Sequence, residues 1–144
     1  MPPKNPTDVI LPMHIDPYIP QILAGTKTHD FRRFRLPPTV RRLWLYLVAP
    51  VSAIQYRLVV APCKTRDTVL PETGLGNREF NTRAPSYRKY DYAYEIQEVW
   101  ELDEPIPLGV MRERYGIKGA PRGALYVPEK MIAEVGDERW KRVR

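Results

Sequence analysis

Ile22-Leu23-Ala24-Gly25-Thr26-Lys27-Thr28-His29-Asp30-Phe31-Arg32 changes its pattern halfway along. Up to Ala24 the chain reads as a short helix, with Ile19, Ile22 and Leu23 as its apolar stripe. Asp16 stands where a capping side chain belongs, and Pro17 and Pro20 are tolerated only in or before the first turn. Gly25 is placed to end the helix in a left-handed conformation, which costs a residue without Cβ nothing. From Lys27 to Phe34 the pattern is extended, until Pro37-Pro38 breaks it.

Working outward, Val9 to Ile15 reads as a strand before the helix. Leu43-Trp44-Leu45-Tyr46-Leu47-Val48 is apolar on both faces, as a central strand is, and Ala49-Pro50-Val51-Ser52 turns it into a second strand from Ala53 to Ala61. Pro62 to about Lys89 is a long irregular stretch rich in glycine and proline, and a loop of that length inside a compact domain is usually functional. Tyr90 to Leu102 is the next strand. Short helices follow from about Pro107 to Tyr115 and from Pro128 to before Gly136. These elements describe an α+β chain, a small barrel or strongly curled sheet with peripheral short helices. They form a single domain over residues 1–144, with a core of about 9–136 and a basic tail at 137–144.

Composition narrows the function. The chain has 144 residues, 43% hydrophobic and 28% charged, which is ordinary globular composition and excludes a wholly disordered protein. One cysteine excludes an internal disulfide, and Cys63 with only His14 and His29 does not make up the ligand set of a structural zinc. No apolar run approaches the ~20 residues of a membrane span, and Met1 to Pro6 has no apolar leader region, so an intracellular location, cytoplasmic or nuclear, is expected.

Lys and Arg number 23 against 17 Asp and Glu. Much of this excess falls in residues 25–42, where Lys27, Arg32, Arg33, Arg35, Arg41 and Arg42 face one acid, Asp30, giving a local excess of five positive charges. Phe31, Phe34 and Trp44 are interleaved with them. Cations beside aromatic rings suit a nucleic-acid backbone and its stacked bases; a solvated strand face with its rings in the core is the alternative. Tyr87 and Tyr90, beside Arg88 and Lys89, are further stacking candidates. Gly74-Leu75-Gly76-Asn77-Arg78-Glu79-Phe80-Asn81 lacks the Lys-Ser/Thr ending of a phosphate loop, and no cofactor is expected. Its Asn77 and Asn81 can bond a base edge or organise the loop itself.

Gly25, Lys27 and Arg32 match the Gly-x-Lys-x-x-Glu-x-Arg signature of the ASCH domain, which follows a short helix; Asp30 stands where that signature has Glu. The chain thus resembles the ASCH branch of the PUA-like superfamily over roughly residues 9–102, with the hairpin Leu43 to Ala61 and the strand Tyr92 to Leu102 supporting the likeness. The resemblance implies a pseudo-barrel with a ligand cleft between barrel and first helix. It implies binding of RNA, another nucleic acid or a modified nucleobase there, in a cleft marked by Lys27, Asp30 and Arg32. The loop, ring and charge patterns above add Asn77, Tyr87 and Tyr90 as ligand-binding candidates and Arg33, Arg35, Arg41 and Arg42 as a nucleic-acid surface. It also implies an alternative, a small hydrolase acting on an N4-acylated cytidine or on RNA. Lys27 would then activate the nucleophile and a Glu of the long loop would move protons. Glu72 and Glu79 both lie in that interval, and Glu79 is preferred for its polar, glycine-rich frame. That branch has Thr at the position of Asp30, and a carboxylate beside Lys27 would keep the lysine charged. A third reading is a module that docks an acidic protein on the Arg32 to Arg42 surface.

Strand geometry sets a condition on the cleft. Alternate residues of a strand share one face, which puts Lys27 and Asp30 on opposite faces, so they meet only if the strand bends or Lys27 lies at its mouth. Lys27 would offer a compact cation and Arg32 a planar fork. The plain structural reading is an Asp30–Arg32 or Asp30–Arg33 ion pair with Lys27 in solvent.

Overall fold

The structure is a computed structural model that describes residues 4–144; Met1 to Pro3, part of the stretch read above as lacking a leader region, lie outside the described residues. Eight strands and four short helices follow in the order β1 (Asp8–Met13), α1 (Tyr18–Ala24), β2 (His29–Arg32), β3 (Arg42–Leu47), β4 (Ala53–Val60), β5 (Lys64–Thr65), α2 (Asn77–Thr82), β6 (Tyr92–Pro107), α3 (Leu108–Tyr115), β7 (Leu125–Tyr126), α4 (Glu129–Val135) and β8 (Trp140–Arg142). The sheet runs β2-β6-β4-β3-β1-β7, and β5 and β8 also pair with β6. It curls into a half-barrel, an α+β architecture of the pseudo-barrel kind. Among the described residues no helix is long and apolar enough to cross a membrane.

β3 is the central strand. It lies parallel to β1, with Asp8 opposite Arg42 and Met13 opposite Leu47, and antiparallel to β4. Its alternation feeds two cores. Leu43, Leu45 and Leu47 join Val9, Leu11, Leu58, Tyr94 and the α1 residues Ile19 and Ile22 inside the curl. Trp44 and Tyr46 join Ile10, Leu102, Met111, Met131 and Trp140 on the outer face, under α3 and α4. Covering both faces explains why this strand reads as an unbroken apolar run.

Several expectations need correcting. Asp16 does not cap α1; Pro17 occupies the N-cap without a side-chain bond, while Gly25 ends the helix at φ 80° as expected. The long stretch 62–89 is not structureless. It holds β5, α2 and a 3-10 turn at Pro85–Tyr87, packed over a third apolar cluster of Phe31, Leu70, Phe80 and Ala93. Asn81 stands in for a strand partner: its Nδ2 donates to the Leu70 carbonyl and its Oδ1 accepts the Leu70 N–H, both at 2.8 Å. The basic tail 137–144 is part of the sheet. β8 pairs with β6, and Trp140 is buried at 5.1 Å from the Trp44 ring, with the Arg57 guanidinium 4.4 Å from its face.

Candidate functional site

Strand β2 is one end of the curled sheet, and the last residues of β1, beyond its two-residue pairing with β7, do not pair with β2 among the described residues. A cavity of about 780 Å³ opens in that gap, a size usual for small-molecule sites. Pro12, Met13 and His14 line it from the end of β1, and Asp30, Phe31, Arg32, Arg33 and Phe34 line it from β2 and beyond. Arg32 bridges the gap: its Nε donates to Asp30 Oδ2 at 2.8 Å, and its Nη1 and Nη2 reach the Pro12 carbonyl at 3.4 and 3.3 Å. The ion pair of the plain structural reading is therefore present, and Arg32 is held at both ends of its fork.

Lys27 is not in solvent. Strand β2 begins two residues after it, so Lys27 lies at the strand's mouth and reaches the same cavity as Asp30. It is 6% exposed, with Nζ 4.8 Å from the centre of the Phe31 ring and 5.2 Å from that of Tyr18. Among the described residues no hydrogen bond or ion pair takes up its ammonium. Burial lowers its pKa below that of a free lysine; the charge of Asp30 opposes the shift and that of Arg32 adds to it. Asp30 favours the charged form, as expected, but desolvation is the larger influence and the net shift is downward.

The facing wall comes from Ser86, Tyr87, Lys89 and Tyr90, and the mouth is completed by Arg122 and Gly123. Phe31 is the hub of this wall, stacked on Phe80 at 5.3 Å and meeting Tyr87 edge-on at 5.5 Å. Gly76 makes the junction possible: a Cβ there would lie 2.6 Å from the Tyr87 hydroxyl and 2.9 Å from the Phe31 ring. Arg66 fixes the wall from behind, donating to the carbonyls of Phe80 at 3.2 Å and Tyr87 at 2.8 Å. Arg33, Lys89 and Arg122 are exposed at the mouth and pair with no acid among the described residues.

The other expected site residues lie elsewhere. Asn77 is fully buried and does not line the cavity; its Nδ2 donates to Thr28 Oγ1 and to the Pro71 carbonyl, so it ties the loop to β2. Glu79 lies on α2, half-buried and outside the cavity lining, as does Glu72 in the preceding loop; Glu79 is felt at the wall only through its charge, which with burial raises the Tyr87 pKa. Arg35 is exposed and outside the lining. Arg41 and Arg42 stand at the far end of β3, five steps of about 3.3 Å from the cavity end. There Arg42 pairs with buried Asp8 at 2.8 Å, and Arg41 donates to the Val60 carbonyl and Gln97. The lining also contains residues the sequence reading did not single out: Tyr18, His14, Ser86 and Arg122. Tyr18 lay within the predicted helix and carried a signal, being one turn from Ile22; Arg122 carried none.

No protein-family model matches the sequence, and no curated protein matches it. Solved structures do match. ASCH from Zymomonas mobilis superposes with a TM-score of 0.68 at 17% identity, over 94% of this chain and 96% of that one. A Ser-to-Ala variant of the same protein gives 0.67 at 18% identity over 91% and 95%, and a Tyr-to-Phe variant gives 0.66 at 15% over 90% and 96%. With the curl of the sheet, the helix between its first two strands and the cleft between β2 and the end of β1, this likeness gives the chain an ASCH-type fold.

Proposed function

We propose that the cavity binds one nucleotide of a nucleic-acid strand, RNA in the first place, within the cell. The observation that carries this reading is the gradient inside one cavity: buried Lys27 and Asp30 with the rings of Tyr18 and Phe31 at its floor, and three unpaired cations, Arg33, Lys89 and Arg122, at its mouth. Rings and polar groups suit a base or sugar; exposed cations suit the phosphates on either side. Direct titration of a labelled single-stranded RNA tests it. Lys27→Ala removes specific binding with the melting temperature little changed, because Lys27 carries little of the core. Full binding by this variant sinks the reading.

A hydrolase is the second reading, favoured by the buried Lys27 amine and Asp30 in one cavity; burial lowers the lysine's pKa, the direction a proton acceptor needs. Glu79 lies outside the lining, so Asp30 is the carboxylate this reading would have to use. Incubation with RNA and with N4-acetylcytidine decides it: turnover lost in Lys27→Ala and retained in Glu79→Gln supports it, and no turnover of either substrate removes it.

A further inference from the structure

Lys27 combines features that a simple phosphate seat does not require. A lysine that only holds a phosphate works best near solvent, fully charged and hydrogen-bonded. Lys27 is nine-tenths buried, its Nζ has no partner among the described residues, and it rests between the faces of Tyr18 and Phe31 at the bottom of a cavity roomy enough for a sugar. The adjacent guanidinium cannot compete with it for a ligand, because Arg32 is held by Asp30 and Pro12. A desolvated amine of this kind is a nucleophile toward carbonyl carbon. Burial, which lowers its pKa, raises the share of the neutral amine and so acts in the same direction.

We infer that Lys27 forms an imine with the aldehyde of an abasic nucleotide held in a strand. The inference rests on the reading of the cavity as a nucleotide site. A nucleotide that has lost its base exposes an open-chain sugar aldehyde, and the missing base leaves room at the floor. Arg33, Lys89 and Arg122 at the mouth are available to the flanking phosphates, which favours a strand over a free sugar. In the step, the neutral amine nitrogen adds to the aldehyde carbon, both amine protons pass to the former carbonyl oxygen, water leaves and a C=N bond remains. Nothing is oxidised or reduced. Asp30 lines the same cavity and is the carboxylate available to carry those protons.

The test uses the full chain, a labelled single-stranded DNA with one abasic site, and sodium cyanoborohydride to reduce any imine to a stable adduct. The same strand with its base in place measures binding alone, and free 2-deoxyribose 5-phosphate serves as a parallel arm. The expected result is an adduct that peptide mass spectrometry places on Lys27. It is lost in Lys27→Arg, whose fold is checked by its melting curve, and kept in Lys141→Arg, an exposed lysine of β8 outside the cavity lining, and the free sugar phosphate yields much less of it. Binding of both strands without an adduct, or with adducts only on surface lysines, overturns the imine and leaves the nucleotide cleft standing. Equal labelling by the free sugar phosphate overturns the preference for a strand. Failure of both strands to bind overturns the inference, and the RNA titration above then decides the cleft reading.

Discussion

His29 sits behind the cavity, 1% exposed, with Nδ1 2.9 Å from Thr28 Oγ1 and Nε2 3.3 Å from Lys64 Nζ. Burial, and then the neighbouring Lys64 ammonium, push its pKa down to about 4. The unfolded chain takes up this proton near the ordinary value of 6.5, whereas the folded chain does not until about 4. The unfolded state therefore binds more protons between these values, and stability present above pH 6.5 is lost progressively as the pH falls toward 4. Thermal melts across that window test this: His29→Gln flattens the profile, and an unchanged slope would refute the assignment. Lys27 titrates below a free lysine because it is desolvated, so a chemical shift titration of its ammonium group gives a midpoint below that of a lysine model peptide.

At the scale of the element, α2 and β8 are the two segments whose roles changed most between sequence and structure. The loop holding α2 is tied down by side chains acting as backbone: Asn81 on Leu70, Asn77 on Thr28 and Pro71, Arg66 on Phe80 and Tyr87. Asn77→Ala leaves the Thr28 hydroxyl and the Pro71 carbonyl without their donor, at a cost of about 1–3 kcal/mol in chemical denaturation, and it loosens the wall that carries Tyr87 and Tyr90. Ligand affinity then falls with stability, whereas Lys27→Ala lowers affinity alone. In β8, Trp140 fills the outer core against Trp44 and beneath Arg57. Trp140→Ala costs about 3–5 kcal/mol, the usual range for emptying a buried aromatic site. A variant as stable as the parent would mean that the strand merely lies on the surface.

For the whole molecule, the proposed nucleic-acid reading depends on which positive surface would meet a polyanion. The local excess of five charges in residues 25–42 points along the chain to one continuous patch, yet the fold divides it. Arg41 and Arg42 go to the far end of β3 and are engaged with Val60, Gln97 and Asp8, while Arg33 joins Lys89 and Arg122, distant in sequence, at the cavity mouth. Replacing Arg33, Lys89 and Arg122 together by Ala flattens the plot of log affinity against log salt by about 2 for a single strand, at roughly 0.7 per phosphate contact. Replacing Arg41 and Arg42 leaves the slope nearly unchanged, and Arg42 shows its loss in stability instead, because it leaves buried Asp8 without its guanidinium. The opposite pattern would move the nucleic-acid surface to the far end of the barrel.

Periodicity carried β1 to β4 and β6, α1 with its glycine stop and the burial of β3, because hydrophobic alternation and turn chemistry are local properties of the chain, and it missed the short strands β5, β7 and β8. Lys27, Asp30 and Arg32 line one cavity for a local reason too, since helix end and strand start are neighbours in sequence. What lies opposite that signature was not local. Tyr87 and Tyr90 reach the cavity because Phe31 and Phe80 pack under them, and Arg122 reaches it from a segment ninety positions beyond Arg32. The fate of each charge was not local either. Asp30 and Arg32, alternate residues of one strand, show as a pair in the sequence, but the desolvation of Lys27 depends on Tyr18 and Phe31 closing around it. Charge and spacing are written along the chain; burial, which decides whether a cation is a solvated surface group or a reactive amine, is created only when distant segments pack.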